Sequence, residues 1–529
     1  MEKYIRSAID RDQQTLFRET LEETLPTDHP VRSADAIVDL FDFSRWECEY
    51  PGGGRPSYTP WDMCKLLLYG NMVGVRSSRK LEYACMNNRD FIWLMRGLAP
   101  DHDTISDFRK RNGKRFKEIF RESIRIGIEA GIISMKRLAI DGTRIQSNSS
   151  RWGTGNKDTI EKMMEEIDLK IEEMMNQAEV EDRIEDDLYG KGESPNHLPK
   201  ELSDAKNRKE LLKKAYEKVL EKAERARNKS RATENKRVPI TDPDSDLMMC
   251  KGGGFAPNYN AHAAVDCESG MIVAQGVDAD HMDESHMQKL CEESMETTDM
   301  KVEQVLADSA YSSTENLEYL EGKGIDACMP PQQTSMERKK EKKKNVWPDD
   351  VPEVVTGKDG IPVDGTSLPL NKVKKSLQID KSAFRYDAKS DCYICPLGYE
   401  LTRSGRSRSR TRHPKIKYKY KCGECRQCPF KPVCAPGEHN RSISRNSDAK
   451  IHERHKVKME DPKRIQDYKL RRQTVEPAFG IIKEVQKLRM FLTRGCESVE
   501  TEWTIAATAF NIGKLIRNYD RILALKPAK

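Results

Sequence analysis

The sequence predicts an α/β core that is preceded by a helical domain and interrupted by a helical hairpin and a cysteine-rich segment. Three observations carry that expectation. Short apolar runs of strand length lead into an aspartate twice, in RLAIDG (137–142) and VEQVLADS (302–309). Apolar residues recur at helical spacing through the first 135 residues and again beyond residue 156. Six of the 14 cysteines fall between Cys392 and Cys434.

The 529 residues leave room for about three or four domains. Charged residues make up 34 % and hydrophobic residues 36 %. That balance is too polar for one compact core and too patterned for wholesale disorder. The longest apolar stretches fall short of the ~18–20 residues a membrane span needs. The N-terminal MEKYIRSAIDRDQQ is charged and lacks an apolar signal-peptide core. A cytoplasmic protein is expected, with no membrane partner. The net charge of +6 is unevenly spread. Between Arg403 and Lys421 there are nine Lys or Arg and no acid, and ERKKEKKK (337–344) is also basic. Residues 161–187 are strongly acidic. A single run of this kind can be a solvated face, but segregated charge points to a polyanionic partner.

Residues 1–135 read as a helical N-terminal domain. Trp61, Cys64, Leu67, Leu68 and Met72 make one helical stripe, and Phe116, Ile119, Phe120, Ile124 and Ile128 another. The break PGGGRPSYTP (51–60) separates an N-terminal piece from this block. In PDHDTISDFRKR (100–111), Pro100 and Asp103 or Thr104 offer helix-start chemistry, and a basic helix carrying Arg109 would follow. Short helices with basic turns suit a helix-turn-helix-like DNA-binding module, with Arg109 as a candidate DNA contact. A plain dimerising bundle is the alternative.

Next, Leu138, Ala139 and Ile140 form a buried strand with Asp141 near its end. Over 156–235 the character changes. Ile160, Met164, Ile167, Ile171, Met174 and Ala178 make one stripe, and Leu212, Tyr216, Val219, Ala223 and Ala226 a second. The linker YGKGESPNHLP (189–199) is full of turn residues, so an inserted helical hairpin or coiled coil is expected. The core resumes with a β-hairpin, AHAAV and MIVAQGV joined by CESG, followed by a helix at about 284–298. A strand then ends at Asp308. STENLEYLEGKG is a short helix with a Ser313 or Thr314 cap and a glycine stop, and IDACMP (325–330) is a further strand. This order matches a ribonuclease H-like sheet assembled from 136–155, 236–330 and 461–529. Residues 331–460 form a second insertion, Lys-rich and then cysteine-rich.

Two-metal phosphodiester cleavage needs carboxylates converging on ions about 3.5–4 Å apart. Mg²⁺ prefers oxygen ligands. Aspartates at the ends of neighbouring strands, about 5 Å apart, meet that need. Asp141 and Asp308 are such a pair, although each alone could be a turn former or helix cap. Glu476 lies in a basic amphipathic helix, with Arg472 one turn before it and Lys483 two turns after it on roughly the same face. A salt-bridge ladder would give the same spacing. Asp242, Asp244, Asp266 and Asp278 are other acids that could stand in the set, and Asp242-Pro243-Asp244 reads as a loop.

In a reducing compartment the cysteine cluster reads as metal binding before disulfides. Cys392-x2-Cys395 pairs with Cys425-x2-Cys428 as a Cys₄ zinc ribbon within about 390–436, while Cys422 and Cys434 compete for the same role. Zinc would fix the nine-cation stretch between the knuckles as a DNA-facing surface.

Five segments together resemble the bacterial insertion-sequence transposases of the DDE type. They are GRPSYTPWDMCKLLLYGNMVGVRSSRKLE (54–82), PDHDTISDFRK (100–110), LAIDGTRIQSN (138–148), VLADSAYSS (305–313) and RRQTVEPAFGIIK (471–483), in the family's order over most of the chain. The resemblance is to the YREK-signature group with an InsH-like N-terminal domain. Arg472, Glu476 and Lys483 meet that signature, and Lys469 occupies the tyrosine position, with Tyr468 beside it. The resemblance implies that Asp141, Asp308 and Glu476 hold two Mg²⁺ (or Mn²⁺) ions, one activating water and then a 3′-hydroxyl, the other stabilising the leaving oxygen. It implies that Arg472 and Lys483, with Lys469 beside them, bind phosphates of the transposon end. It implies DNA transposition at terminal inverted repeats, and a homodimer that brings two ends together. The alternatives are a catalytically inactive or domesticated transposase-derived DNA-binding protein, and a ribonuclease H-like nuclease that cuts without joining.

Overall fold

The computed structural model describes residues 20–47, 57–189, 200–224, 236–250, 253–279, 283–331, 347–348, 350–373, 376–408 and 416–523. The basic run 337–344, most of the linker 189–199 and Ala226 lie outside the described residues, as does the side chain of Ala178. The chain divides into two units, Met1–Ala307 with Gly324–Ala327 and Asp467–Lys529, and Asp308–Lys323 with Cys328–Gln466.

The first unit begins with helices α1 (Pro30–Val38), α2 (Pro60–Met72), α3 (Ser78–Asn87), α4 (Arg89–Leu94), α5 (His102–Arg111) and α6 (Gly113–Glu129). Local chemistry starts them. The Thr59 hydroxyl accepts the Asp62 N–H, with Pro60 at the first helical position. The cap of α5 is Asp101, which accepts the Thr104 N–H at 2.7 Å, and not Asp103 or Thr104 as the sequence suggested. Trp46, Phe108 and Phe116 stack and cross edges at 5.4–6.2 Å, joining α5 and α6.

Strand β1 (Arg137–Gln146) follows, then a helical pair, α7 (Lys157–Tyr189) and α8 (Lys200–Glu224). Ile160 and Ile167 of α7 pack with Leu212, Ala215 and Val219 of α8, and the Tyr216 hydroxyl reaches Glu161. Next come β2 (Asp246–Met249), β3 (Phe255–Asp266), β4 (Ile272–Asp278), α9 (Met287–Thr298), β5 (Gln304–Ala307), α10 (Thr314–Lys323) and β6 (Asp326–Cys328). The strand order is β3-β1-β5-β6, with β4 and β2 both pairing with the outer side of β3. Strand β1 runs antiparallel to β3 and parallel to β5. This is a mixed sheet consistent with a ribonuclease H-like core. The strand bearing Asp141 is longer than the apolar run implied, because it continues through polar residues to Gln146 along β3.

In the C-terminal third of the chain lie two long helices, α12 (Pro462–Glu484) and α13 (Cys496–Ile516). Helix α13 is buried almost all round, and it packs on α2, α6 and β4. Its one central amide has a clear reason. Asn511 accepts the Ile272 N–H through Oδ1 and donates Nδ2 to the Ile272 carbonyl, both at 2.8 Å, so it completes the backbone of β4. Asn511→Leu keeps the volume but strands both groups. We expect it to lower stability by on the order of 3 kcal/mol in chemical denaturation; a change under about 0.5 kcal/mol would show that water replaces the amide.

The second unit holds α10, which packs on α11 (Ala449–Met459) through Thr314, whose hydroxyl meets Asp448 at 2.5 Å and His452 at 3.0 Å. It also holds a five-stranded antiparallel meander, β7 (Arg385–Asp387), β8 (Cys392–Ile394), β9 (Glu400–Arg408), β10 (Ile416–Cys422) and β11 (Ser442–Asn446). Tyr393, Leu401, Tyr420, Phe430 and Ile443 form its core. Among the described residues no helix is long and apolar enough to cross a membrane.

Candidate active site

Asp141 sits where β1 loses its parallel neighbour. The last parallel pair is Ile140 with Ala307, and Asp141 itself pairs with Ala263 of β3. Its Oδ1 accepts the Gly142 N–H at 2.9 Å. Its Oδ2 lies 2.7 Å from the guanidinium of Arg471, a side chain only 8 % exposed on α12. The same guanidinium stands 3.8 Å from Glu476, five residues onward. A carboxylate from the sheet and one from the helix therefore converge on a single positive charge.

Helix α12 is held in register on β1. Lys483 donates to the Thr143 hydroxyl at 2.5 Å and to the Arg144 carbonyl at 2.9 Å. Beyond the helix, Gln146 donates to the Arg489 carbonyl at 3.2 Å and accepts the Phe491 N–H at 2.9 Å, so the returning chain pairs with the end of β1. Arg472 is exposed and lies 3.6 Å from Glu476, and Lys469 is exposed as well. Arg472 and Lys483 thus behave differently: Arg472 faces solvent, whereas Lys483 is spent in part on β1. Sequence reasoning passed over Arg471. The signal was present, because Arg471 lies in line with Val475, Ala478 and Ile482, the buried face of the helix. An arginine in an apolar stripe needs a buried acid.

Asp308 is the residue after Ala307, the end of β5. Its carboxylate accepts the Ser309 N–H at 2.5 Å and caps the turn Ser309–Tyr311. The cap reading and the strand-end reading both hold for it. Of the other acids, Asp242 is buried and accepts from Ser147 (2.5 Å), Tyr259 (2.8 Å) and the Gly495 N–H (3.0 Å), so it is structural despite its loop setting. Asp266 closes the β3–β4 turn on Ser269 and Met135.

Arg109 is partly buried: it donates to the Arg76 carbonyl at 3.4 Å, and burial lowers its pKa, with opposing support from Glu502.

The nine-cation stretch is a β-ribbon where it is described. Strands β9 and β10 pair from Leu401 with Cys422 to Arg408 with Ile416, and Arg403, Arg406, Arg408, Lys419 and Lys421 are exposed along it. Residues 409–415 lie outside the described residues. Tyr418 is covered by the Arg403 guanidinium at 3.8 Å. A two-stranded ribbon of this width fits a nucleic-acid groove.

Five of the six clustered cysteines, Cys395, Cys422, Cys425, Cys428 and Cys434, act on one another's thiols, and the Cys422 thiol is hydrogen-bonded to Cys425. Burial raises the Cys434 thiol to about 12, and Cys425, Cys428 and Cys395 add to it against Arg441. Burial also raises Cys428, with Cys395 and Cys425 as neighbours. Cys395 and Cys425 accept backbone N–H groups from Tyr399 (3.3 Å) and Arg441 (3.4 Å), the support a thiolate ligand uses. Cys392 lies on β8, its sulfur 3.3 Å from the Ser390 hydroxyl.

Comparison with known families adds two matches. Residues 394–516 match the model described as a transposase DDE domain, and residues 19–111 match a transposase domain (DUF772). Among curated proteins none matches. The first match spans Arg472, Glu476 and strands β9–β11, and the second covers most of the N-terminal helices.

Proposed function

We propose that this chain, which carries a DDE transposase domain and a DUF772 transposase N-terminal domain, is an insertion-sequence transposase that binds terminal inverted repeats and cuts and joins DNA strands. The finer placement is the YREK-signature group with an InsH-like N-terminal domain, on Arg472, Glu476 and Lys483. The observation that carries the reading is the convergence of Asp141 and Glu476 on one cationic group. Carboxylate oxygens are the donors Mg²⁺ and Mn²⁺ take, and a point already shared by one cation fits that chemistry. Asp308, following the strand parallel to β1, completes the proposed set. When bound, two such ions would supply Lewis-acid activation of the nucleophile and charge relief at the leaving oxygen.

The chain's own residues do the rest. Arg472 and Lys469, exposed on α12, offer phosphate contacts beside Glu476. Lys483 holds the helix on β1 and thereby sets the position of Glu476. The basic ribbon β9–β10 adds backbone contacts along the DNA, so binding should weaken steeply as salt rises. Two ends must meet for transfer, and a homodimer on DNA is the proposed assembly.

Purified protein incubated with labelled DNA carrying the flanking ends, in Mg²⁺ or Mn²⁺, tests the reading. Metal-dependent nicking and joining is the expected result. End binding without cleavage would assign a transposase-derived DNA-binding protein, and cleavage without joining a nuclease.

Arg471 and a metal compete for Asp141. Arg471→Met is therefore expected to tighten Mg²⁺ binding by roughly tenfold, about 1.4 kcal/mol, as read by calorimetry. Unchanged or weaker affinity would place the metal away from Asp141.

For zinc we propose Cys395, Cys425, Cys428 and Cys434, with Cys434 in place of Cys392 and Cys422 as the competing thiol. Elemental analysis should find one zinc lost in Cys434→Ser and retained in Cys392→Ser. The reverse would restore the spacing-based set Cys392, Cys395, Cys425 and Cys428.

A further inference from the structure

On the sheet face opposite Asp141 lies a second cluster of ligating side chains. Asp141 pairs with Ala263, so the next residue of β3, His262, points to the other side. His262 is 1 % exposed, and neither ring nitrogen has a hydrogen-bond partner. An imidazole carries one N–H and one lone pair, and leaving both unmatched away from water is costly. The ring stacks on His286 at 4.0 Å between centroids. His286 Nε2 lies 3.0 Å from Asp278 Oδ2. One ligand atom from each of His262, Asp278 and His286 falls within 4.8 Å of the other two, the group of three metal-competent side chains found among the described residues. Beside His262 across the strand pair is Gly276, where a Cβ would meet nothing within 4 Å. The cluster therefore has room next to it.

We propose that His262, Asp278 and His286 bind a divalent transition-metal ion, Zn²⁺ by preference, that ties the start of α9 to strands β3 and β4. Two imidazoles and a carboxylate are a borderline nitrogen–oxygen set, which suits zinc and disfavours the all-oxygen Mg²⁺. Tetrahedral zinc places ligand atoms about 3.4 Å apart, so the present spacing closes with small ring rotations. The fourth position falls to water. The three ligands come from the middle of β3, the end of β4 and the turn before α9. The ion thus closes the connection between β4 and α9 on the sheet, and gives His262 the partner it lacks.

The test uses the full-length, tag-free protein stripped with chelator and titrated with Zn²⁺ or Co²⁺. Cysteine and histidine sites are separated by Co²⁺ spectra, since only thiolates give intense near-ultraviolet charge transfer. Wild type should bind one ion more than His286→Gln and one more than Asp278→Asn, with the thiolate bands unchanged in both variants. Both changes lie at the partly exposed end of the cluster, and circular dichroism checks that they fold. Zn²⁺ should also raise the melting temperature of wild type by several degrees more than that of either variant. Equal stoichiometry and equal thermal shift in wild type and both variants would overturn the site. So would loss of the thiolate bands in the histidine variant, which would assign the ion to the cysteines.

Discussion

Glu476→Gln, Asp141→Asn and Asp308→Ala are each expected to reduce metal-dependent strand cleavage by at least about a thousandfold, while end binding stays within a few-fold of wild type. The magnitude follows from the charge at stake. A metal pair contributes several kcal/mol to a phosphoryl transition state, and each 1.4 kcal/mol is about tenfold in rate. Glu476→Gln is the cleanest of the three, because it keeps the shape and helix propensity of an exposed helical side chain and removes only charge. Its neighbours Arg472 and Lys469 remain to hold DNA, so binding and chemistry separate. Asp141→Asn also releases Arg471, a buried cation, and needs a melting curve beside the assay. Cleavage by Glu476→Gln at a tenth of the wild-type rate or more would remove Glu476 from the metal-binding set. A parallel fall in binding and cleavage would assign it to the DNA contact surface.

Much of the architecture was legible because its signals are local. The apolar runs before Asp141 and Asp308 lie in β1 and β5, and the CESG turn joins β3 to β4. The helical stripes that include Leu67 and Leu68, and Phe116 and Ile119, face the interior. What was missed depends on residues far apart in the chain. Asp141 and Arg471 come together through tertiary packing, and adjacency to Arg472 concealed which arginine points inward. A run of Arg and Lys gives no sign that Arg109 is the member near Glu502. The cysteine spacing offers two knuckles, but spacing does not say which of the six sulfurs share one ion. In the sequence His262 is one residue of a strand, since its partners arrive from β4 and from the turn before α9.

Glu502→Ala is expected to destabilise the protein by about 3–5 kcal/mol, the largest stability effect of any single change considered for the first unit. Glu502 is 3 % exposed on α13 and pairs with Arg76, which is 7 % exposed just after α2. The carboxylate also accepts the Leu492 N–H (3.0 Å) and both the N–H and hydroxyl of Thr493 (3.1 and 2.9 Å). Arg76 in turn donates to the Lys487 carbonyl at 2.6 Å and the Met490 carbonyl at 3.0 Å. The pair therefore clamps the segment that leaves α12 and pairs with the end of β1. Removing the acid leaves a buried guanidinium and stranded backbone donors, and Arg109 nearby loses its supporting negative charge. The effect should reach the active site through geometry. Without the clamp the exit of α12 is free to slide on β1, and the Lys483 contacts that set Glu476 loosen with it. Chemical denaturation measures the first effect. Cleavage assayed at a temperature where the variant is still folded measures the second, and it should fall with end binding intact. Wild-type stability in Glu502→Ala would show that the buried pair contributes no more than an apolar contact, and normal cleavage in a destabilised variant would uncouple the clamp from the position of α12.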